Sequence, residues 1–168
     1  MLVVVGHGPS IVGKALGSWL DRQTVVRLKN APRPNAEDWG TRIDYQCAST
    51  PLWDRLAPEI WVLPNEKETG KYQDGDGVRV SDGRWWQYFW RFAPGYKMST
   101  GLRALCCAVE FLNPDEIGLL GFDNLIHPQV KGLQKWHEAP FSRQQWHDYD
   151  AEHQAAMALG VKLRNLAE

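Results

Sequence analysis

The sequence predicts an α/β fold, a single domain built on a Rossmann-like, mostly parallel sheet flanked by helices. Three observations predict it. Short apolar runs such as Leu2–Val5 are typical of strands buried on both faces, as in parallel sheets. Glycine turns, and segments whose apolar residues recur every three or four positions, separate these runs. The length of 168 residues suits one domain, residues 1–168, with its own core.

The first predicted unit is a strand, a glycine turn and a helix. The strand Leu2–Val5 leads into the turn at 6–10 (G-H-G-P-S), a helix over 11–20 and a second strand at Thr24–Leu28. Such a unit presents free backbone N–H groups where its helix begins, and an anion can bind there. A glycine turn is equally typical of close packing with no ligand, so both interpretations stay open at this point.

The middle of the chain is predicted to contain two more strands and then an irregular excursion. The strands are 42–48 and 60–63, and the excursion covers 65–97. Residues 65–83 are rich in Glu, Lys, Asp and Gly, which is typical of surface chain. The aromatic stretch 84–92 (R-W-W-Q-Y-F-W-R-F) is interpreted as a strand with one core face and one face for a sugar or another subunit.

The last part of the chain is predicted to alternate helix and strand again. Ser99 is a good N-cap for a helix that ends before Pro114, and a strand follows at Glu116–Leu120. Residues 124–146 show little periodicity and form a candidate lid. Asp148 caps the final helix in one interpretation and Ser142 with Gln145 in a rival one, and 161–166 is the last strand.

Composition excludes some classes of function. The chain has 19 basic and 20 acidic residues, so no overall field favours nucleic acid. No apolar run is long enough for an integral membrane segment. Cys47, Cys106 and Cys107 show no metal-ligand spacing and are expected to be core thiols in a cytoplasmic protein. The D-G-D-G stretch at 74–77 is interpreted as a turn, so neither a metal site nor a cofactor is expected.

Ser49 and Thr50 stand at the end of the third predicted strand. Strand ends line the ligand crevice of an open parallel sheet, which makes these hydroxyls candidate ligand contacts. Capping of a helix from Pro51 onward explains them equally well.

Three separated stretches resemble the sialylmotifs of sialyltransferases, in the family's order. The turn G-H-G-P-S, with V-V-R-x-x-N and G-T-R-x-D after it, resembles the large motif. S-T-G at 99–101, an apolar helix and D-E-I-x-L-L-G-F-D resemble the small motif. His147 and Glu152 match the H-x-x-x-x-E of the very small motif.

The resemblance implies an inverting, metal-independent transfer of a sialic acid-like sugar from a CMP-sugar donor to a hydroxyl of an acceptor glycan. His147 would be the general base, His137 would steady the leaving phosphate, and Glu152 belongs to the same catalytic set. The donor would be held by Gly6, His7, Gly8, Ser10, Asn30, Ser99, Thr100 and Gly101, with Ser49 added from its place at a strand end. His7 stands where the family usually carries asparagine.

Other functions stay open beside this one. Little of the chain is left to bind an acceptor, which favours a CMP-sugar hydrolase as a second enzyme. A non-catalytic nucleotide-binding or assembly module is the alternative of another class. A nicotinamide enzyme is disfavoured because the second strand ends in Lys29-Asn30 and not in an acidic ribose ligand. The sequence leaves the oligomeric state open.

Overall fold

One seven-stranded sheet organises the chain, and all of its strand pairs are parallel. The computed structural model describes residues 1–29, 35–50, 55–122 and 147–166. The strand order is β5-β4-β3-β2-β1-β6-β7, which confirms the predicted α/β class. The strands are β1 (Leu2–Val5), β2 (Thr24–Leu28), β3 (Tyr45–Ala48), β4 (Glu59–Val62), β5 (Val78–Val80), β6 (Glu116–Leu120) and β7 (Lys162–Asn165).

Helices cover both faces of the sheet. Val3 and Val5 point to a smaller core shared with the two helices that precede β3, whereas Leu2 and Val4 point to a larger core shared with the three helices that follow β5. The strand β1 is therefore buried on both faces, as its apolar run predicts. The described helices are α1 (Gly17–Leu20), α2 (Ala36–Trp39), α3 (Arg84–Phe89), α4 (Thr100–Leu112) and α5 (Tyr149–Met157), with 3-10 turns at Pro9–Ile11 and Glu66–Glu68.

The chain winds outward from β1 in both directions. Strands β2 to β5 extend the sheet on one side of β1, and β6 and β7 extend it on the other. The connections that leave the carboxyl ends of β1 and β6 therefore diverge, and a crevice opens between them. This is the place where open parallel sheets bind ligands.

The prediction of one helix over 11–20 is wrong. The structure has a 3-10 turn, a loop and the four-residue helix α1. The loop is held by Asp38 of α2, whose carboxylate accepts the N–H of Gly13 at 2.9 Å and of Ala15 at 2.8 Å. Gly13 (φ 76°) and Ala15 (φ 51°) both adopt the left-handed conformation, which a helix cannot continue through. The N–H groups expected to await an anion here already bind a carboxylate of the protein.

The excursion over 65–97 is also corrected. It contributes β5, which pairs with β4 at the edge of the sheet, and α3, which replaces the strand predicted at 84–92. Trp85, Trp86 and Phe89 are buried at helical spacing, and Asp82 accepts the N–H of Arg84 at 2.9 Å where the helix begins. Large aromatic residues such as those of 84–92 suit both strands and helices. Packing against α4 and α5 favours the helix.

Both predicted helix caps in the last part of the chain are confirmed. The hydroxyl of Ser99 accepts the N–H of Leu102 at 3.3 Å, and the carboxylate of Asp148 accepts the N–H of Ala151 at 3.0 Å. The strands predicted at 116–120 and 161–166 are present as β6 and β7. The candidate lid, 124–146, lies outside the described residues.

Asp38 predicts a pH dependence of folding stability. The N–H groups of Gly13 and Ala15 hold the pKa of Asp38 below its usual value of 3.8. A carboxylate whose folded pKa is lowered stabilises the fold fully above its unfolded pKa, and the contribution is lost as the pH falls through the folded pKa. We therefore expect the free energy of urea unfolding to decrease below about pH 4.

Asp38→Asn is the control for this effect. The amide cannot ionise, so the difference in unfolding free energy between the wild type and Asp38→Asn should be largest above about pH 4 and should shrink below it. A difference that stays constant down to about pH 2 would contradict the role of Asp38.

Candidate active site

The carboxyl ends of β1 and β6 are joined by unusually close backbone contacts. The N–H of Gly6 donates to the carbonyl of Leu120 at 2.7 Å, and the N–H of Gly8 donates to the carbonyl of Gly121 at 2.9 Å. A Cβ on Gly6 would lie 2.3 Å from the carbonyl oxygen of Gly121. The two glycines of the first turn thus serve this contact, and their N–H groups are already used.

The other residues predicted around the first turn lie at the same edge of the sheet. The ring Nε2 of His7 donates to the carbonyl of Leu28 at 3.2 Å, so His7 ties the first turn to the end of β2. Ser10 is half-buried in the 3-10 turn, and half-buried Ser49 follows β3. Asn30 lies outside the described residues.

Polar residues of the large-motif resemblance hold loops together. Arg27 is 1% exposed and donates to the carbonyls of Trp39 at 2.5 Å and Arg42 at 2.9 Å. The carboxylate of Asp21 accepts the N–H groups of Thr41 at 2.6 Å and Arg42 at 2.8 Å. Burial raises the pKa of Asp21, but these two hydrogen bonds, a third from the Thr41 hydroxyl and the charge of Arg27 together outweigh it, and the net shift is downward.

The start of α4 presents backbone donors at the same edge. Within the described part of the chain, the N–H groups of Thr100 and Gly101 have no hydrogen-bond partner, as expected in the first turn of a helix. A Cβ on Gly101 would lie 2.9 Å from the ring of Phe122, which follows β6. Gly101 therefore lets the start of α4 pack beside the crevice.

Glu152 connects the start of α4 to the start of α5. Its side chain is fully buried, and its two oxygens accept the N–H of Ser99 at 2.5 Å and the hydroxyl of Ser99 at 2.6 Å. Because the hydroxyl donates to Glu152 and accepts from Leu102, Ser99 has no proton left to give to a ligand. The sequence placed Ser99 and Glu152 in one site, and the structure brings them into direct contact.

His147 lies just before the cap of α5, where the sequence predicted it. Its Nδ1 is 2.6 Å from the carbonyl oxygen of Lys97 and 3.5 Å from Oε1 of Glu152. The ring of Tyr149 stacks on it with 6.0 Å between the centroids. The side chain is 22% exposed, so one part of the ring is fixed and another remains accessible.

The contact with Lys97 determines where the neutral imidazole carries its proton. A carbonyl oxygen only accepts hydrogen bonds, so Nδ1 of His147 donates. In the neutral ring Nε2 is then unprotonated and can accept a proton. The carboxylate of Glu152 lies where it would stabilise the protonated ring.

Arg103 is a polar residue of this region that the sequence analysis missed. It is 4% exposed and donates to the carbonyl of Leu63 at 2.9 Å and to Oδ1 of Asn65 at 2.8 Å. A third bond goes to the carbonyl of Met98 at 3.3 Å. Burial lowers the pKa of its guanidinium. The signal was an arginine flanked by the apolar residues Leu102 and Ala104 in the predicted helix.

Two further interpretations concern His137 and the D-G-D-G stretch. His137 lies outside the described residues. The stretch forms a turn, because the N–H of Val78 donates to the carbonyl of Gly75 at 2.8 Å, and Asp76 (φ 45°) and Gly77 (φ 71°) between them are left-handed. Within 1–29, 35–50, 55–122 and 147–166, no group of three His, Cys, Asp or Glu side chains could hold a metal ion.

Two solved structures share this architecture over almost the whole chain. One is a mammalian sialyltransferase, with a TM-score of 0.64 and 19% identity over 99% of this chain and 68% of the other. The second is a mammalian sialyltransferase in complex with Gal-beta-1-3GalNAc-ortho-nitrophenol, with a TM-score of 0.60 and 18% identity over the same shares. The chain has a sialyltransferase-like fold. No protein-family model and no curated protein matches the sequence.

The sialyltransferase-like fold agrees with the resemblance seen in the three motifs. In the part of the chain that the structure describes, no helix is long and apolar enough to cross a membrane.

Gly6→Ala should destabilise this sialyltransferase-like fold. The added methyl group would collide with the backbone carbonyl of Gly121, and neither β1 nor β6 can shift without losing pairing. We expect a loss of about 1–3 kcal/mol in the free energy of urea unfolding.

Gly101→Ala is the matched comparison. Its methyl group would lie 2.9 Å from the ring of Phe122, a side chain that can shift more easily than a backbone carbonyl, and 3.5 Å from Oγ of Ser99, which is an ordinary contact. The loss should therefore be smaller than for Gly6→Ala. Equal stability of Gly6→Ala and the wild type would contradict the close contact of β1 and β6.

Proposed function

We propose that the protein is a glycosyltransferase that moves a sialic acid-like sugar from a CMP-sugar to a hydroxyl of an acceptor glycan. One observation carries the proposal. His147, whose Nδ1 donates to the carbonyl of Lys97, stands beside the start of α4 with Glu152 buried beneath it. A base and a group of anion-binding donors therefore share one edge of a sialyltransferase-like sheet.

The start of α4 would bind the phosphate of the donor. The N–H groups of Thr100 and Gly101 and the positive end of the helix dipole suit a phosphate oxygen. CMP is a good leaving group once its phosphate charge is stabilised, and fixed donors provide this without reorganisation. The donor carries one phosphate, so there is no diphosphate for a metal ion to bridge.

Nε2 of His147 would remove the proton of the acceptor hydroxyl. As the proton moves to Nε2, the hydroxyl oxygen bonds to the anomeric carbon, and the bond to the phosphate oxygen breaks with its electron pair leaving on CMP. This single displacement inverts the anomeric centre. The imidazolium that forms lies next to the carbonyl of Lys97 and the carboxylate of Glu152, and both stabilise a positive charge.

Glu152 would have two tasks in this scheme. It holds Ser99 through the hydroxyl and the N–H, which fixes the start of α4, and it faces Nδ1 of His147. A shift of the start of α4 would therefore be transmitted to His147 through the carboxylate of Glu152. The same side chain accounts for the spacing between His147 and Glu152 in the H-x-x-x-x-E motif.

His147→Ala should abolish transfer without weakening nucleotide binding. Loss of a general base typically costs about 10²–10⁴-fold in rate. The donors at the start of α4 stay in place, so the affinity for CMP, measured by calorimetry, should remain close to that of the wild type.

His153→Ala is the control for His147→Ala. His153 lies on α5 next to Glu152 in sequence, whereas the contacts between the two helix starts described above are made by His147 and Glu152 with Lys97 and Ser99. Its transfer rate should remain within about twofold of the wild type, as for a substitution outside the reacting groups. Normal turnover by His147→Ala would overturn the assignment of the base.

Nucleotide selectivity provides a separate test of the donor. CMP should raise the melting temperature more than UMP, UDP, GDP or NAD, because at equal concentration the nucleotide that binds the folded protein most tightly stabilises it most. CMP-sugar should then be consumed faster when a suitable acceptor glycan is present. Release of free sugar that no glycan affects would favour a hydrolase, and CMP binding with no turnover would favour a non-catalytic module.

A further inference from the structure

Arg103 is a buried cation that pairs with neutral groups. Within the described residues, its guanidinium donates to Leu63 O, Asn65 Oδ1 and Met98 O, and it forms no salt bridge with a carboxylate there. Its guanidinium also lies over the ring of Trp86, 5.1 Å from the centroid. The carboxylate of Glu152 acts on this charge only from a distance, and a buried charge with no directly paired carboxylate is costly compared with an apolar side chain of similar size. Packing of α4 alone therefore does not explain an arginine here.

The three residues before α4 are held by side chains from two helices. The carbonyl of Lys97 accepts from His147, the carbonyl of Met98 accepts from Arg103, and Ser99 binds Glu152. His147 and Glu152 belong to the start of α5, whereas Arg103 belongs to the second turn of α4. Arg103 is the member of this set that also reaches the end of β4, through Leu63 O and Asn65 Oδ1.

The position of the Lys97 carbonyl depends on this anchoring. The Lys97 and Met98 carbonyls lie in neighbouring peptide planes that meet at the Met98 Cα, so once the Met98 carbonyl is held, the Lys97 carbonyl can turn only through the φ and ψ of Met98. Side chains of helical residues point toward the start of the helix, which places the guanidinium beside this segment. Met98 itself is 1% exposed, so its peptide is fixed on the side of the core as well.

We propose that Arg103 is a positioning residue for His147: by fixing the Met98 carbonyl to the end of β4, it keeps the Lys97 carbonyl where it selects the Nδ1–H form of the imidazole. Arg103 touches neither His147 nor the reacting atoms and acts through the backbone of Lys97 and Met98. Any effect of this arrangement on catalysis rests on the proposed function. Which ring nitrogen of His147 carries the proton can, however, be measured without any substrate.

The test is nitrogen-15 NMR of the histidine rings in Arg103→Met and wild-type protein, at a pH where the rings are neutral. The nitrogen shifts separate a protonated from an unprotonated ring nitrogen. In the wild type we expect the His147 ring to be protonated at Nδ1. In Arg103→Met we expect a mixture of Nδ1–H and Nε2–H forms. With CMP-sugar and acceptor, kcat should fall by about two- to tenfold, following the fraction of competent ring.

Arg27→Met is the matched control. Arg27 is a second buried arginine that donates to carbonyl oxygens. It lies on β2, and its acceptors are in α2 and in the segment before β3. Its loss should reduce stability and leave the His147 ring protonated at Nδ1. The same mixture in Arg27→Met would mean that general loosening of the fold is responsible, which overturns the proposal.

Two other results are decisive. A folded Arg103→Met protein whose His147 ring stays entirely in the Nδ1–H form overturns the proposal. If the methionine variant does not fold, Arg103→Gln gives the same measurement, since its amide is polar but too short to reach the three acceptors. If the wild type turns over no CMP-sugar and Arg103→Met still shows the expected mixture of ring forms, the proposed function is refuted and the role of Arg103 stands.

Discussion

The buried carboxylate of Glu152 is the interaction on which the rest of the site depends. Two helices begin at the same edge of the sheet, and the positive ends of their dipoles would repel each other without a negative charge between them. Glu152 provides that charge and binds Ser99 through both of its oxygens. Glu152 is the partner of Ser99, and the N–H groups of Thr100 and Gly101 that follow have no hydrogen-bond partner within the described residues. His147 lies 3.5 Å from the same carboxylate, so the proposed anion site and the proposed base would share it.

Local signals predicted much of this arrangement from the sequence. Ser99 and Asp148 are capping residues at the boundary of an apolar helical pattern, and both cap a helix in the structure. The strands β1, β2 and β6 follow from apolar runs that need no distant partner to be recognised. The placement of His147 just before α5 follows from the cap alone. These features depend on neighbours within about four residues, which is the range over which sequence patterns are most informative.

The features that could not be predicted depend on residues far apart in the sequence. The break of the first helix requires Asp38, which bonds to Gly13 and Ala15 from another helix. The helical form of 84–92 depends on packing against α4 and α5, because large aromatic residues suit both helices and strands. Arg103 resembles an ordinary surface residue of a helix until Leu63 and Asn65 are seen to surround it. His137 and Asn30 stay predictions.

The parallel pairing of β1 has a consequence for how the chain folds as it is synthesised. Leu2 pairs with Thr24 on one side and with Ile117 on the other. During translation, β1 and β2 are synthesised before β6, which comes only after β3, β4 and β5. Until then the second edge of β1 has unpaired N–H and C=O groups beside four apolar side chains, a surface prone to aggregation. Strand β1, which lies between two neighbours in the finished sheet, is therefore the strand that waits longest for a partner.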